Sequence, residues 1–264
     1  MTAIPYGRGD NDVGVGVDVS GRAGAFGRVA GAYAAYRPSY PAELFAGVEE
    51  LAGRELRGAR VADVGAGTGL ATALLHARGA RVVGVEPAAA MAAEFRRGLP
   101  GVPVVLGSGD QLPLADGAFD FVTYAQAWHW TDPRRSVPEA LRVLRPGGAL
   151  AVWWNGTDRS VPWAAEQDAR LRRLFGAPAA PPDPRSRFHT LPGGLDFRHR
   201  QVGWRRTVPL DTHLACLATQ SGFVVLGETA TAPFLAGERR RLKELFPDGT
   251  VEEPYVVSLA VAVR

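Results

Sequence analysis

An acid followed by three alternating glycines, Asp63-Val64-Gly65-Ala66-Gly67-Thr68-Gly69, is the stretch of this chain best equipped to hold a small ligand. Glycine lets a backbone turn tightly and come close to a bound molecule. A helix that starts directly afterwards turns its unbonded N–H groups toward the same space. A second acid, Glu86, ends an apolar run about twenty residues later, a distance at which a carboxylate reaches ribose hydroxyls. A third candidate is His129, set between Trp128 and Trp130. An imidazole with an ordinary pKa of about 6.5 is suited to take a proton near neutrality.

The elements around these residues decide what they address. Apolar residues running into Asp63 read as a strand, and Leu70–Arg78 reads as the helix that follows the glycine turn. Ala80–Glu86 is β-branched and reads as the next parallel strand of a βαβ unit, ended by Pro87. Ala88–Arg97 reads as a helix with Met91 and Phe95 on one face. Met91 either packs in the core or lies against the base of a nucleoside. Val102–Gln111 reads as a strand closing on Gly109-Asp110-Gln111, and Phe119–Ala125 as a fourth strand. A helix closing on Leu144-Arg-Pro-Gly-Gly148 then feeds the apolar Ala149–Trp153, with Pro146 stopping the helix and the glycines turning the chain. A dinucleotide cradle would need its third glycine at position 70, where this chain has Leu70. Asp63 would also set a carboxylate beside phosphates, whereas it suits a ligand that carries an ammonium group.

Four such landmarks in this order, over about residues 26–155, resemble the class I S-adenosylmethionine (SAM) methyltransferases. The flanks Phe26–Pro41, Ala125–Trp130 and Val251–Val263 are similar to the trans-aconitate methyltransferase-like (methyltransferase type 11) branch. The resemblance implies an α/β fold, a Rossmann-like doubly wound seven-stranded sheet with an antiparallel last strand and a lid insertion after strand five. It implies SAM as cofactor, bound by Tyr33, Arg37, Asp63, Gly65, Ala66, Gly67, Thr68, Gly69, Glu86, Pro87, Met91, Gly109, Asp110, Gln111, Ala125 and Gln126. Asp110 would accept a hydrogen bond from the adenine amino group. Trp128 and Trp130 would line the acceptor pocket beside His129 as general base. Arg187, with Arg185 and Arg198 nearby, is the candidate for binding an acidic acceptor. The activity expected is SAM-dependent methyl transfer to a small molecule, most often to oxygen, with secondary metabolism suggested by the Ala/Arg/Gly/Pro-rich composition. Two alternatives stand beside it: a nicotinamide-dependent oxidoreductase and a SAM-binding protein without catalysis.

The chain's 264 residues, 46% of them hydrophobic, are enough for one large α/β domain with a sizeable core. Residues 1–24 read as a mobile arm. Residues 25–264 read as the methyltransferase domain, with its core in 25–155 and 201–264 and a lid in 156–200. Within that lid Val161–Phe175 reads as a helix, and the proline-rich 177–184 as a stiff connector. Beyond it, Gln201–Leu210 and Pro254–Val263 read as strands, Asp211–Ser221 and Gly237–Phe246 as helices. The net charge of +3 is mild, and the short groups Arg198-His-Arg200, Arg205-Arg206 and Arg239–Arg241 read as solvated faces, so no nucleic-acid partner is expected. One cysteine, Cys216, rules out a disulfide framework and a thiolate zinc site. The histidines show no metal-ligand spacing, so no metal is expected. No apolar run is long enough to span a membrane and no secretory signal is visible, so a cytoplasmic location without a membrane partner is expected; a monomer or homodimer is expected beside it.

Overall fold

The computed structural model describes residues 31, 35–178, 188, 191 and 194–264. The expected arm 1–24, Tyr33, Arg185, Arg187 and part of the expected lid lie outside the described residues. The elements are α1 (Ala42–Ala52), β1 (Arg60–Val64), α2 (Leu70–Ala77), β2 (Arg81–Glu86), α3 (Ala89–Gly98), β3 (Val104–Leu106), β4 (Phe119–Ala125), α4 (Pro133–Val143), β5 (Leu144–Thr157), α5 (Pro162–Leu174), β6 (Arg198–Pro209), α6 (Leu210–Ala218), α7 (Ser221–Leu226), α8 (Glu228–Leu245) and β7 (Thr250–Val263). The sheet has seven strands in the order β3-β2-β1-β4-β5-β7-β6, and the last strand is antiparallel. This is the Rossmann-like arrangement the sequence leads one to expect.

The central strands are apolar without alternation because both of their faces are covered. β1 buries Val61 to Val64, and β4 buries Phe119 to Tyr124. β6, at the end of the sheet order, instead alternates exposed and half-buried residues, as a strand with one wet face does. β1 pairs in parallel with β2 and with β4, and β2 with β3. The C-terminal ends of these strands therefore point the same way, and ligands of open α/β sheets bind at those ends.

The described residues group into two compact units. One comprises 39–155, 188, 191, 194–202 and 257–264; its core joins Val64, Val85, Val122, Tyr124, Trp128 and Val152. The other comprises 31, 35–38, 156–178 and 203–256; its core joins Leu171, Leu210, Leu214, Phe223, Leu242 and Val251. This division differs from the expected lid of 156–200. Helix α5 packs with α6, α7 and α8, so 203–256 groups with it, while 194–202 stays with the strands.

Two further expectations are corrected. α4 ends at Val143, three residues ahead of Pro146. A proline there would clash with the carbonyl of Arg142 if the helix continued, and it disfavours helical backbone at Arg145. Residues 145–148 instead bulge at the start of β5, opposite Asp120, between the pairs Phe119–Leu144 and Phe121–Ala149. The helix expected over Asp211–Ser221 is α6, which ends at Ala218; after the extended Gln220 a further short helix, α7, begins at Ser221, where none was expected.

Candidate SAM and active site

The glycine turn and the strand-end residues described next belong to the first unit. Gly65, Gly67 and Gly69 have φ of +68°, +57° and +91°, the left-handed region that favours glycine. Two of them are also hemmed in. A Cβ on Gly65 would overlap the Ala127 methyl, and one on Gly69 would come 2.7 Å from Leu99 Cδ1 and 3.0 Å from Phe95 Cδ2 on α3. The loop is tied to β2: the Gly65 and Ala66 N–H groups donate to the Val85 carbonyl at 2.8 and 3.1 Å. Gly67 N–H donates to Glu86 Oε2 at 2.9 Å. Glu86 Oε1 accepts a second backbone N–H, from Ala88, at 2.8 Å. This buried carboxylate thus fixes both the glycine turn and the entry to α3. Burial, joined by the charge of Asp63, raises its pKa above the ordinary glutamate value in spite of those two bonds.

Asp63 is fully buried. Thr72 Oγ1 donates to Oδ2 at 2.5 Å and Thr123 Oγ1 to Oδ1 at 2.8 Å. Asp63 thereby pins the first turn of α2 and strand β4 to the end of β1. Thr72 and Thr123 were not among the expected site residues; each is a hydroxyl within an apolar run, and only the tertiary pairing reveals why. Burial raises the Asp63 pKa from 3.8 to about 6, with the two hydroxyls opposing the rise. The folded state then holds the Asp63 proton more tightly than the unfolded chain. Its contribution to stability accordingly grows as pH falls through about 6 toward 3.8 and vanishes at higher pH. Between pH 7 and pH 5 this amounts to roughly 1–2 kcal/mol of extra stability from this group. Urea denaturation of the wild type and Asp63→Asn at both pH values checks it. The variant is expected to lack that gain, and an identical pH response in the two proteins would remove Asp63 from the account.

The remaining cradle residues come from the next strand ends. Met91 is buried, with Cε 3.7 Å from where a Gly67 Cβ would stand, so it faces the turn next to Pro87. Gly109 lies against β4: a Cβ there would meet Thr131 Cγ2 at 2.8 Å and Tyr124 Cε1 at 3.0 Å. Asp110 Oδ1 accepts the Asp132 backbone N–H at 2.9 Å, which orients the carboxylate; Asp132 itself caps α4 through the Arg134 N–H. Gln111 is exposed and closes a turn on the Ser108 carbonyl. After Ala125, Gln126 has φ of +58°, the one left-handed non-glycine among the described residues. Its Nε2 donates to the Asn155 carbonyl at 2.7 Å and its N–H to Trp153 at 3.0 Å, bonds that hold this costly backbone in place.

Trp128, His129 and Trp130 form a single 3₁₀ turn. Trp128, expected to line the acceptor pocket, is a core residue, 1% exposed, with its ring edge-on to Tyr124 at 4.9 Å. His129 and Trp130 are half-buried, their ring centres 4.6 Å apart. Arg37 belongs to the second unit, where its guanidinium donates to the Thr219 carbonyl at 3.1 Å. No described group of three His, Cys, Asp or Glu residues could hold a metal, and no described helix is long and apolar enough to cross a membrane.

The residues suit a nucleoside bearing an amino acid. The left-handed turn lets backbone approach closely, and Thr68 Oγ1 is buried in it without a hydrogen-bond partner among the described residues. Carboxylates stand at the end of β2 (Glu86) and in the loop after β3 (Asp110) for hydroxyl and amino donors. A pyrophosphate, by contrast, would face Glu86 and Asp110.

Comparison with known proteins agrees. A family model described as a methyltransferase domain matches residues 62–152. Uncharacterized methyltransferases of Mycobacterium bovis and Mycobacterium tuberculosis are 45% identical over 198 residues, 75% of this chain and 76% of theirs. The solved structure of a protein from Anaeromyxobacter dehalogenans, assigned as a type II methyltransferase, is similar with a TM-score of 0.64 at 25% identity, covering 86% of this chain and 97% of that one. The oxidoreductase alternative falls with these relatives. By its sheet order, its glycine turn and its relatives, the chain belongs to the class I SAM-dependent methyltransferases.

Proposed function

We propose that this protein binds SAM in the Gly65–Gly69 turn and transfers its methyl group to an oxygen of a small-molecule acceptor, with His129 as the general base. The observation that carries the reading is the clamp of Glu86 on the glycine turn at the C-terminal strand ends, beside Asp110 and the strained Gln126. When bound, SAM supplies an electrophilic methyl on a good leaving group. The chain's own work is then to position, to exclude water and to take a proton. Positioning alone is worth roughly 7–11 kcal/mol of the barrier. Glu86 suits the ribose hydroxyls, Asp110 the adenine amino group, and the unpartnered Thr68 hydroxyl the amino-acid end. His129, on the turn after β4, is half-buried against Trp130, a setting suited to accepting a hydroxyl proton out of bulk water. The short, scattered arginine groups favour a small acceptor over a nucleic acid, and a cytoplasmic setting fits a SAM-dependent reaction.

The test is calorimetric titration with S-adenosylhomocysteine, followed by transfer of radiolabelled methyl from SAM across a panel of phenols, alcohols, amines and carboxylates. Binding with turnover on hydroxyl acceptors supports the proposal. Binding without turnover on any acceptor would make this a SAM-binding protein without catalysis. His129→Ala is expected to keep the S-adenosylhomocysteine affinity and lower kcat about 100-fold on a hydroxyl acceptor. Unchanged kcat would leave His129 no part in proton transfer.

A further inference from the structure

The starts of β3, β2, β1 and β4 stand side by side in the sheet, and an open groove of about 430 Å³ crosses them. This size lies within the range of about 300–1,000 Å³ typical of small-molecule sites. Val102, Pro103 and Phe119 give it an apolar floor, and Arg60, Arg81 and His76 supply its polar groups. The groove is at the opposite strand ends from the glycine turn: Arg60 begins β1 and Val64 ends it, a span of about 13 Å at 3.3 Å per residue.

Arg60 and Arg81 are register partners in the parallel pairing of β1 with β2, so their side chains leave the same face next to each other. Like charges in that arrangement repel. Among the described residues neither guanidinium forms an ion pair. The carboxylate that reaches this end of the sheet, Asp120, is already held by Arg54 at 3.0 Å and by Arg145, and it accepts the Arg60 backbone N–H at 2.8 Å. Arg54 and Arg145 thus already pair with this aspartate, which leaves the Arg60 and Arg81 guanidiniums without an ion pair among the described residues. The Arg60 guanidinium lies 5.7 Å over the Phe119 ring, which sets positive charge directly above the apolar floor.

We propose that this groove binds a phosphate monoester carrying an apolar tail, its head between Arg60 and Arg81 and its tail on Val102, Pro103 and Phe119. Two adjacent guanidiniums match a head that carries nearly two negative charges and offers oxygens for paired N–H donors. The apolar floor leaves an unsubstituted phosphate without half of its contacts.

The experiment is calorimetric titration of the full chain with monodecyl phosphate below its micelle concentration, with inorganic phosphate and decyltrimethylammonium as the other arms. One site per chain is expected. Arg60→Gln/Arg81→Gln is expected to weaken it at least 10-fold, and Arg81→Glu alone to do the same, while S-adenosylhomocysteine affinity stays unchanged and reports an intact fold. Equal affinity in wild type and either variant would overturn the proposal. So would inorganic phosphate binding as tightly as the decyl ester, or decyltrimethylammonium binding at the same site. Because the homocysteine titration is read separately, failure here and failure of the methyl-transfer reading are distinguishable.

Discussion

Gly65→Ala is expected to weaken S-adenosylhomocysteine binding at least 100-fold and to lower the thermal midpoint by several degrees. Two costs combine at this position. A residue with a side chain at φ +68° gives up about 1–2 kcal/mol relative to glycine. Its Cβ would also overlap the Ala127 methyl, and an inserted methyl in a packed site typically costs about 1–3 kcal/mol. The backbone cannot slide away, because Gly65 and Ala66 are both tied to the Val85 carbonyl and Gly67 to Glu86. The strain therefore passes into the turn that faces the ligand.

A double-mutant cycle separates the two costs. Ala127→Gly removes the methyl that is struck, so Gly65→Ala/Ala127→Gly is expected to recover the packing part and retain the backbone part. Gly58→Ala is the control for backbone alone: its φ is +75° and nothing lies within 4 Å of the added methyl. It should cost about 1 kcal/mol of stability and leave binding untouched. If Gly65→Ala binds the homocysteine like the wild type, the turn is not part of the cofactor site.

Glycines that need positive φ, and strands buried on both faces, announce themselves in a sequence. This is why the turn at 65–69 and strands β1, β2 and β4 were legible within a residue or two. What was not legible depends on partners distant along the chain. Asp63 reads as a ligand acid, yet both of its oxygens accept hydroxyls from Thr72 and Thr123. Asp110 reads as the acid that closes a strand, yet β3 ends at Leu106, and nothing local says that the Asp132 N–H orients Asp110. Trp128 looks like a pocket wall beside Trp130, and the 3₁₀ turn sends it into the core instead. α8 starts nine residues before the expected Gly237, with Pro233 inside its first turns. The packing of Phe234, Leu235 and Leu242 outweighs the one backbone bond that Pro233 removes. The same packing draws 203–256 together with α5, a grouping that no local pattern encodes.

Glu86→Gln should weaken S-adenosylhomocysteine about 10- to 100-fold with little loss of fold, because it alters the clamp and not the core. Each Glu86 oxygen accepts a backbone N–H, from Gly67 at 2.9 Å and from Ala88 at 2.8 Å. An amide offers one acceptor and one donor, so one of those N–H groups must face an NH₂. A hydrogen bond to a charged group is worth about 1.5–3 kcal/mol, and the penalty falls on whichever segment is released. Release of Gly67 frees the glycine turn; release of Ala88 frees the entry to α3 and with it Met91. Either outcome moves a wall of the cradle, and the ribose would also face a neutral amide where it had a carboxylate. The pH profile supplies a second readout. Burial raises the Glu86 pKa above the ordinary glutamate value, so acidification protonates it in the empty site before it would protonate an exposed glutamate, and imitates the amide. Wild-type affinity should therefore fall as pH drops toward that raised value, while Glu86→Gln stays weak and flat across the same range. A variant that binds as tightly as the wild type, or that keeps the wild-type pH profile, would show that neither the clamp nor a ribose contact of Glu86 supports nucleoside binding.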